Sequence, residues 1–107
     1  MKQEPVRLTS EEITNRIKGI SEWNIVGESI SHEFKFATFM EAVDFVNKVA
    51  RLADDRDHHP DICIYYNKVK LGLTTHKVGG LSDKDFELAS AIDELFKNEG
   101  MKLLLYE

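Results

Sequence analysis

The chain has one cysteine, two prolines and one tryptophan in 107 residues. A lone Cys63 excludes an internal disulfide, and nothing marks an oxidising compartment. Its neighbours Ile62 and Ile64 are apolar, so Cys63 is expected to be a buried small hydrophobe. No linker, repeat or low-complexity stretch divides the sequence, which reads as a single domain over 1–107. No apolar run approaches the roughly 18 residues of a membrane span. The start Met1-Lys2-Gln3-Glu4-Pro5 lacks the hydrophobic segment of a signal peptide. The cytoplasm is therefore the expected location. An excess of cations is also missing, with 14 Lys and Arg against 19 Asp and Glu and a net charge of −5. Nonspecific nucleic-acid binding needs the opposite balance. The 42% hydrophobic and 31% charged content is that of a globular domain, and 107 residues bury one modest core.

What is present is patterned. Thr9-Ser10-Glu11-Glu12 reads as a capping box, and Ile13, Ile17 and Ile20 follow at helical spacing until Gly19 marks the end. Trp23 to Ile30 and Ser31 to Ala37 read as two strands, with Gly27 as a bulge or turn. In the second, His32, Phe34 and Phe36 alternate with Glu33, Lys35 and Ala37. Thr38 caps a long helix to about Asp55, whose stripe is Phe39, Val43, Val46, Val49, Ala50 and Ala53. Phe45 lies off that stripe and is a candidate for widening it or meeting a partner. A charged loop, Asp54 to Pro60, leads to a hairpin of Ile62 to Tyr66 and Val69 to Thr75, turning near Asn67-Lys68. Val69, Leu71, Leu73 and Thr75 share one face of the second arm. Ser82-Asp83-Lys84-Asp85 opens a last helix that Gly100 should end, with Lys102 to Tyr106 as a short strand or docked tail. Helix, two strands, helix, two strands, helix with short links predicts an α+β fold: a four-stranded antiparallel sheet with three helices packed on one face.

Three of the four histidines fall within 19 residues, as His58, His59 and His76. Imidazole is the side chain best suited to proton transfer near neutral pH. Pro60 disfavours helical geometry at His59. Adjacent residues of an extended segment point to opposite sides, so His58 and His59 line one pocket only if the backbone turns. Hairpin pairing brings His76 back toward His59. Three readings stand on residues alone: a solvated loop with a strand-end histidine, a metal set drawn from Asp57, His58, His59 and His76, or acid–base catalysis. The spacing matches no recognised zinc pattern. Asp54 is either an imidazole partner or a solvated helix-end acid. Asp85 reads as a cap rather than a catalyst, and Trp23 as core rather than pocket wall.

Asp57-His58-His59-Pro60-Asp61, then Tyr66-Asn67-Lys68-Val69, then Leu73-Thr74-Thr75-His76 resembles the signature of the pterin-4a-carbinolamine dehydratases. Trp23, Phe34, Phe36 and Gly80-Leu81-Ser82-x-x-Asp85 extend the resemblance to Leu8 through Phe96. Ile62 departs from it, standing where the family commonly has Trp, a change that touches packing beside the pocket and no proton-transferring group.

The resemblance implies dehydration of a 4a-hydroxytetrahydropterin to the quinonoid dihydropterin, in recycling of a tetrahydropterin cofactor. Under it, His58, His59 and His76 are the catalytic set. His58 and His59 assist the leaving hydroxyl as acids, and His76 acts as base or positions the ring. The substrate contacts are Asp57, His58, His59, Thr74, Thr75, His76 and Lys77. No metal and no cofactor is implied, the pterin being the substrate. The family forms homodimers or homotetramers, for which Phe45 and the strand edges are candidate contacts. Some members also partner a homeodomain transcription factor, so a non-catalytic dimerisation module is the alternative.

Overall fold

The computed structural model describes residues 4–106, with side chains described through position 98. Helix α1 (Ser10–Ile17) starts where the Glu12 amide donates to the Thr9 hydroxyl at 3.2 Å and the Thr9 amide donates to the Glu12 carboxylate at 2.9 Å. The reciprocal pair satisfies two amides that a helix start leaves without partners. A 3₁₀ turn, Lys18–Ile20, follows. The expected strand from Trp23 to Ile30 is split in two. Strand β1 covers only Asn24–Val26, and a turn at Gly27-Glu28 leads into β2 (Ser29–Lys35). Gly27 takes φ +60°, which glycine adopts without steric cost.

Thr38 caps α2 (Phe39–Arg56) by accepting from the Glu41 amide at 3.1 Å. The buried stripe is Ala42, Phe45, Val49 and Ala53, so the helix is rotated from the expected one. Phe39 is 47% exposed and Ala50 is exposed, whereas Phe45 is 1% exposed. Phe45 is thus a core residue and not a partner contact. Its ring centroid lies 5.0 Å from that of Phe34, 5.1 Å from Phe36 and 5.8 Å from Phe96. Two overlapping apolar stripes were available on α2. The stripe that is buried is the one that sets a ring among the rings of Phe34, Phe36 and Phe96.

Strands β3 (Asp61–Tyr65) and β4 (Lys68–Leu73) form the second hairpin, turning at Tyr66-Asn67, one residue earlier than expected. Helix α3 (Asp83–Tyr106) completes the chain. It runs through Gly100, where a stop was expected, and the Lys102–Tyr106 segment is helical; its side chains lie outside the described ones.

The sheet order is β1-β2-β4-β3, antiparallel throughout. Phe34 lies opposite Val69, Ile30 opposite Leu73, and Leu71 is flanked by His32 and Ile62. These form the inner face, and Val69, Leu71, Leu73 and Thr75 are all buried on it beneath the helices. The α+β architecture with helices on one face is the one that the element order implies. Cys63 corrects an expectation: it is exposed. Strand β3 is a sheet edge, and Cys63 pairs with Lys70 on the open face. Alternation turns Ile62 and Ile64 to the helix-covered side, where Ile62 is half-buried and Ile64 at the edge stays exposed, and turns the thiol to the open face. Trp23 is core, 2% exposed, and its indole donates to Asp93 Oδ1 at 2.9 Å.

Candidate active site

Helix α2 ends at Asp57, whose φ of +51° is left-handed. Its amide donates to the carbonyls of Ala53 and Asp54, and the His58 amide donates to Ala53 at 3.1 Å. This closing geometry is usually given to glycine. It supplies the backbone turn that two adjacent histidines need to share a pocket. His58 turns inward, its side chain 11% exposed, with Nε2 2.6 Å from Asp85 Oδ1. His59 stays at the rim, its side chain 58% exposed, with Nε2 2.8 Å from Asp54 Oδ1. Asp54 is therefore an imidazole partner, but to His59.

The far wall comes from β4 and the chain that follows it. Thr75 ends the buried alternation of β4, and His76 opens a 3₁₀ turn, His76–Val78, at the surface. An antiparallel bridge between Thr75 and Gly80 folds this segment back toward α3. There Ser82 and Asp85 cap the helix: the Ser82 amide donates to Asp85 Oδ2 at 3.0 Å, and the Lys84 amide donates to Ser82 Oγ at 3.3 Å.

Asp85 does more than cap. It is fully buried, and Thr75 Oγ1 donates to its Oδ2 at 2.7 Å while Oδ1 faces His58. Ser82 Oγ completes the group 2.7 Å from the Thr75 hydroxyl. A carboxylate is acceptor-only, so His58 Nε2 carries the proton in this pair. Ring orientation and tautomer are then set together, leaving Nδ1 as the other exchangeable position. A buried carboxylate is costly unless its oxygens are all hydrogen-bonded, as these are. Capping read from Ser82-x-x-Asp85 hid this second role, because Thr75 and His58 reach Asp85 only through tertiary packing.

One cleft of about 340 Å³ is lined by Asp57, His58, His59, Thr74, Thr75, His76 and Lys77, with Pro5 and Lys84 added. Every site residue expected from the sequence borders it. Their side chains are not equally available. The Thr74 hydroxyl donates to the Glu28 carbonyl at 2.7 Å, tying β4 to the β1–β2 turn, and the Thr75 hydroxyl is committed to Asp85. Lys77 pairs with Glu4 at 2.7 Å, which holds the Glu4 carboxyl below its ordinary value. The His76 ring makes no hydrogen bond among the described residues and is exposed. Sequence reasoning missed Lys84, Pro5 and the Asp85–His58 pair. Among the described residues, no three His, Cys, Asp or Glu side chains are arranged to hold a metal ion.

A larger hollow, about 650 Å³, lies between the first 3₁₀ turn, β2 and α3. It holds a single imidazole, His32, packed against Trp23 and Phe34 at centroid distances of 5.6 and 4.1 Å. Burial pushes the His32 pKa below the ordinary histidine value, and Asp93, Glu22 and Glu33 pull weakly the other way. Volume favours this hollow, whereas converging polar groups favour the histidine cleft as the candidate site.

A family model for pterin 4 alpha carbinolamine dehydratase matches residues 6–95. The chain belongs to that family. A relative in Sulfurisphaera tokodaii, named for the same dehydratase, is 51% identical over 89 residues, covering 83% of this chain and 96% of its own. One in Picosynechococcus, likewise named, is 52% identical over 89 residues, covering 83% and 97%. The crystal structure of a transcriptional coactivator/pterin dehydratase from Brucella melitensis superposes with a TM-score of 0.79 at 32% identity, covering 83% of this chain and 97% of that one. The match from residue 6 to 95 takes in every residue lining the histidine cleft except Pro5.

Proposed function

We propose that this chain is a hydro-lyase that converts 4a-hydroxytetrahydropterin to quinonoid dihydropterin and water, serving tetrahydropterin recycling. The bond from carbon 4a to the hydroxyl oxygen breaks, that oxygen gains a proton, and nitrogen 5 loses one. Electrons balance without an oxidant, so the reaction calls on no redox cofactor. It calls on an acid and a base near neutral pH, each typically contributing about 10²–10⁴-fold.

The observation that carries the reading is the meeting of His58, His59 and His76 around one cleft, with His58 oriented by buried Asp85. His58 and His59 act as acids on the leaving hydroxyl, and His76 serves as base or positions the ring. Asp57, Lys77 and the main chain of Thr74 and Thr75 contact the pterin. The two threonine hydroxyls hold the scaffold instead.

The test is dehydration of freshly generated 4a-hydroxytetrahydropterin, followed by absorbance, with metal-free protein. Acceleration over the spontaneous reaction, largely lost in His59→Ala, is the expected result. No acceleration leaves the alternative, a dimerisation module for a protein partner such as a transcription factor. The coactivator named with the Brucella melitensis dehydratase is the observation on that side.

No helix among the described residues is long and apolar enough to cross a membrane. The proposed setting is the cytoplasm. The proposed assembly is a homodimer or homotetramer, because β1 and β3 are open sheet edges and Ile25, Val26, Phe39 and Met40 are exposed. Sedimentation at several concentrations measures it, and a monomer throughout would refute it.

A further inference from the structure

The histidine cleft is not closed on the α2 side. A second hollow of about 210 Å³ is lined by Arg56, His58, Lys84 and Glu87. It shares His58 and Lys84 with the main cleft, so the two adjoin across those side chains. A molecule seated against His58 therefore has this second hollow beside it.

The charges there are unusual for a chain of net charge −5. The fixed cations around the two hollows are Lys77, Lys84 and Arg56, and the carboxylates lining them are Asp57 and Glu87. Asp54 and Asp85 are each committed to an imidazole, and the Glu4–Lys77 pair cancels, with Lys84 also near enough to help hold the Glu4 carboxyl below its ordinary value, so the cations left to the site are Arg56 and Lys84. Among the described residues, neither Arg56 nor Lys84 forms an ion pair. Glu87, one turn beyond Lys84, is the only carboxylate in the smaller hollow.

Helix electrostatics accounts for one of these cations and not the other. Arg56 is the last residue of α2, where a cation complements the negative helix end. Lys84 stands in the first turn of α3, where a cation opposes the positive end. Its position is unfavourable for the helix taken alone. An anion held between Lys84 and Arg56 would offset that cost and would interact favourably with the α3 terminus, while Arg56 screens it from the negative end of α2.

We infer that the cleft continues into an anion subsite formed by Arg56 and Lys84, so that its preferred substrates are pterins whose side chain ends in a phosphate. The inference rests on the dehydratase reading for its substrate ring, and adds the tail. Arginine presents a planar fork that matches phosphate oxygens, and lysine adds a point charge from a second helix. Two cations on separate helices suit a group with several acceptor oxygens and more than one negative charge. A neutral hydroxylated tail would leave Arg56 and Lys84 to share the single carboxylate of that hollow, Glu87.

The test compares two 4a-hydroxytetrahydropterins with the same ring, one with a neutral hydroxylated side chain and one with that side chain phosphorylated. At low salt kcat/KM is expected to be about tenfold higher for the phosphorylated substrate, mainly through KM. The ratio should fall toward one as ionic strength is raised, since the cations lie near solvent. It should also fall in Arg56→Gln and Lys84→Gln, and invert in Arg56→Glu, with thermal melts confirming that each variant is folded. Turnover of both substrates at equal kcat/KM at low salt would overturn the subsite and leave the dehydratase intact. Fluorescence titration with the two oxidised, unreactive pterins separates the other case. Tighter binding of the phosphorylated one without any turnover would keep the subsite and reject the dehydratase. Inorganic phosphate should compete with the phosphorylated pterin alone; phosphate binding with no gain for the phosphorylated pterin would overturn the link to the cleft.

Discussion

Asp85→Asn is the most discriminating perturbation of this site. Asparagine keeps the shape of the side chain, and its oxygen still accepts from the Thr75 hydroxyl and the Ser82 amide, the bonds that aspartate receives at 2.7 and 3.0 Å. What changes is the group facing His58 at 2.6 Å. A carboxylate oxygen becomes an NH₂ donor, and His58 Nε2 must become the acceptor. The neutral imidazole is then held in the opposite tautomer, and it loses the carboxylate that supports the doubly protonated ring from which Nδ1 would give up its proton. If His58 transfers a proton in the reaction, kcat falls by about 10²–10⁴-fold. Stability changes for a separate reason. Three hydrogen bonds lose their charge assistance, and a negative charge is lost from the first turn of α3. With charge-assisted bonds at about 1.5–3 kcal/mol and neutral ones near 1, the net cost is about 2 kcal/mol after some relaxation. At this size that lowers Tm by roughly 9 °C. Asp85→Ala would be less informative, since it strands three buried polar groups and threatens the fold. Thermal melts by circular dichroism and the dehydratase assay are run on the same preparations. A folded Asp85→Asn protein with wild-type kcat and an unchanged pH profile would refute the role given to His58 and its carboxylate.

The remaining predictions concern the rim of the cleft, the core and pH. His59→Ala should lower kcat/KM with a Tm change of no more than about 2 °C, because His59 and Asp54 form an exposed pair of little stabilising value; a large Tm loss would contradict the exposed geometry. Phe45→Ala should cost about 3–5 kcal/mol in urea denaturation, while Phe39→Ala should stay within about 0.5 kcal/mol. The reverse order would restore the stripe expected from periodicity alone. His32 has a folded pKa depressed by burial, so the unfolded chain binds more protons just below the ordinary histidine value. Its contribution to stability is present above that value, near pH 6.5, and is lost as pH falls through the folded value. Urea midpoints should drop from about pH 7 to about pH 5, and His32→Leu should flatten that slope; an unchanged slope would remove His32 as its source.

Much of this molecule was legible without coordinates where the signal was local. Thr9 with Glu12 announced α1, because capping depends on residues three apart. Val69, Leu71, Leu73 and Thr75 were assigned to one face of β4 by alternation, and all four are buried. Of the two roles that the sequence leaves open for Phe45, widening the stripe or meeting a partner, packing takes the first and rotates the stripe toward it, because the choice depends on Phe34 and Phe96, distant in sequence. Cys63 was misplaced because an apolar neighbourhood does not show whether a strand lies at the sheet edge, and β3 does.

The same division runs through the site. Sequence alone named the candidate residues there, since the histidines and their flanking acids are chemically distinctive and their spacing is linear information. Only the tertiary structure decided how they are placed relative to one another. The left-handed Asp57 turned two adjacent histidines into one cleft. The packing of α3 against the end of β4 brought Asp85, Thr75 and Ser82 to His58. Hydrogen bonds between residues 10 to 27 positions apart cannot be read from local pattern, because no local energy term specifies them until the core that separates the helices and sheet has formed.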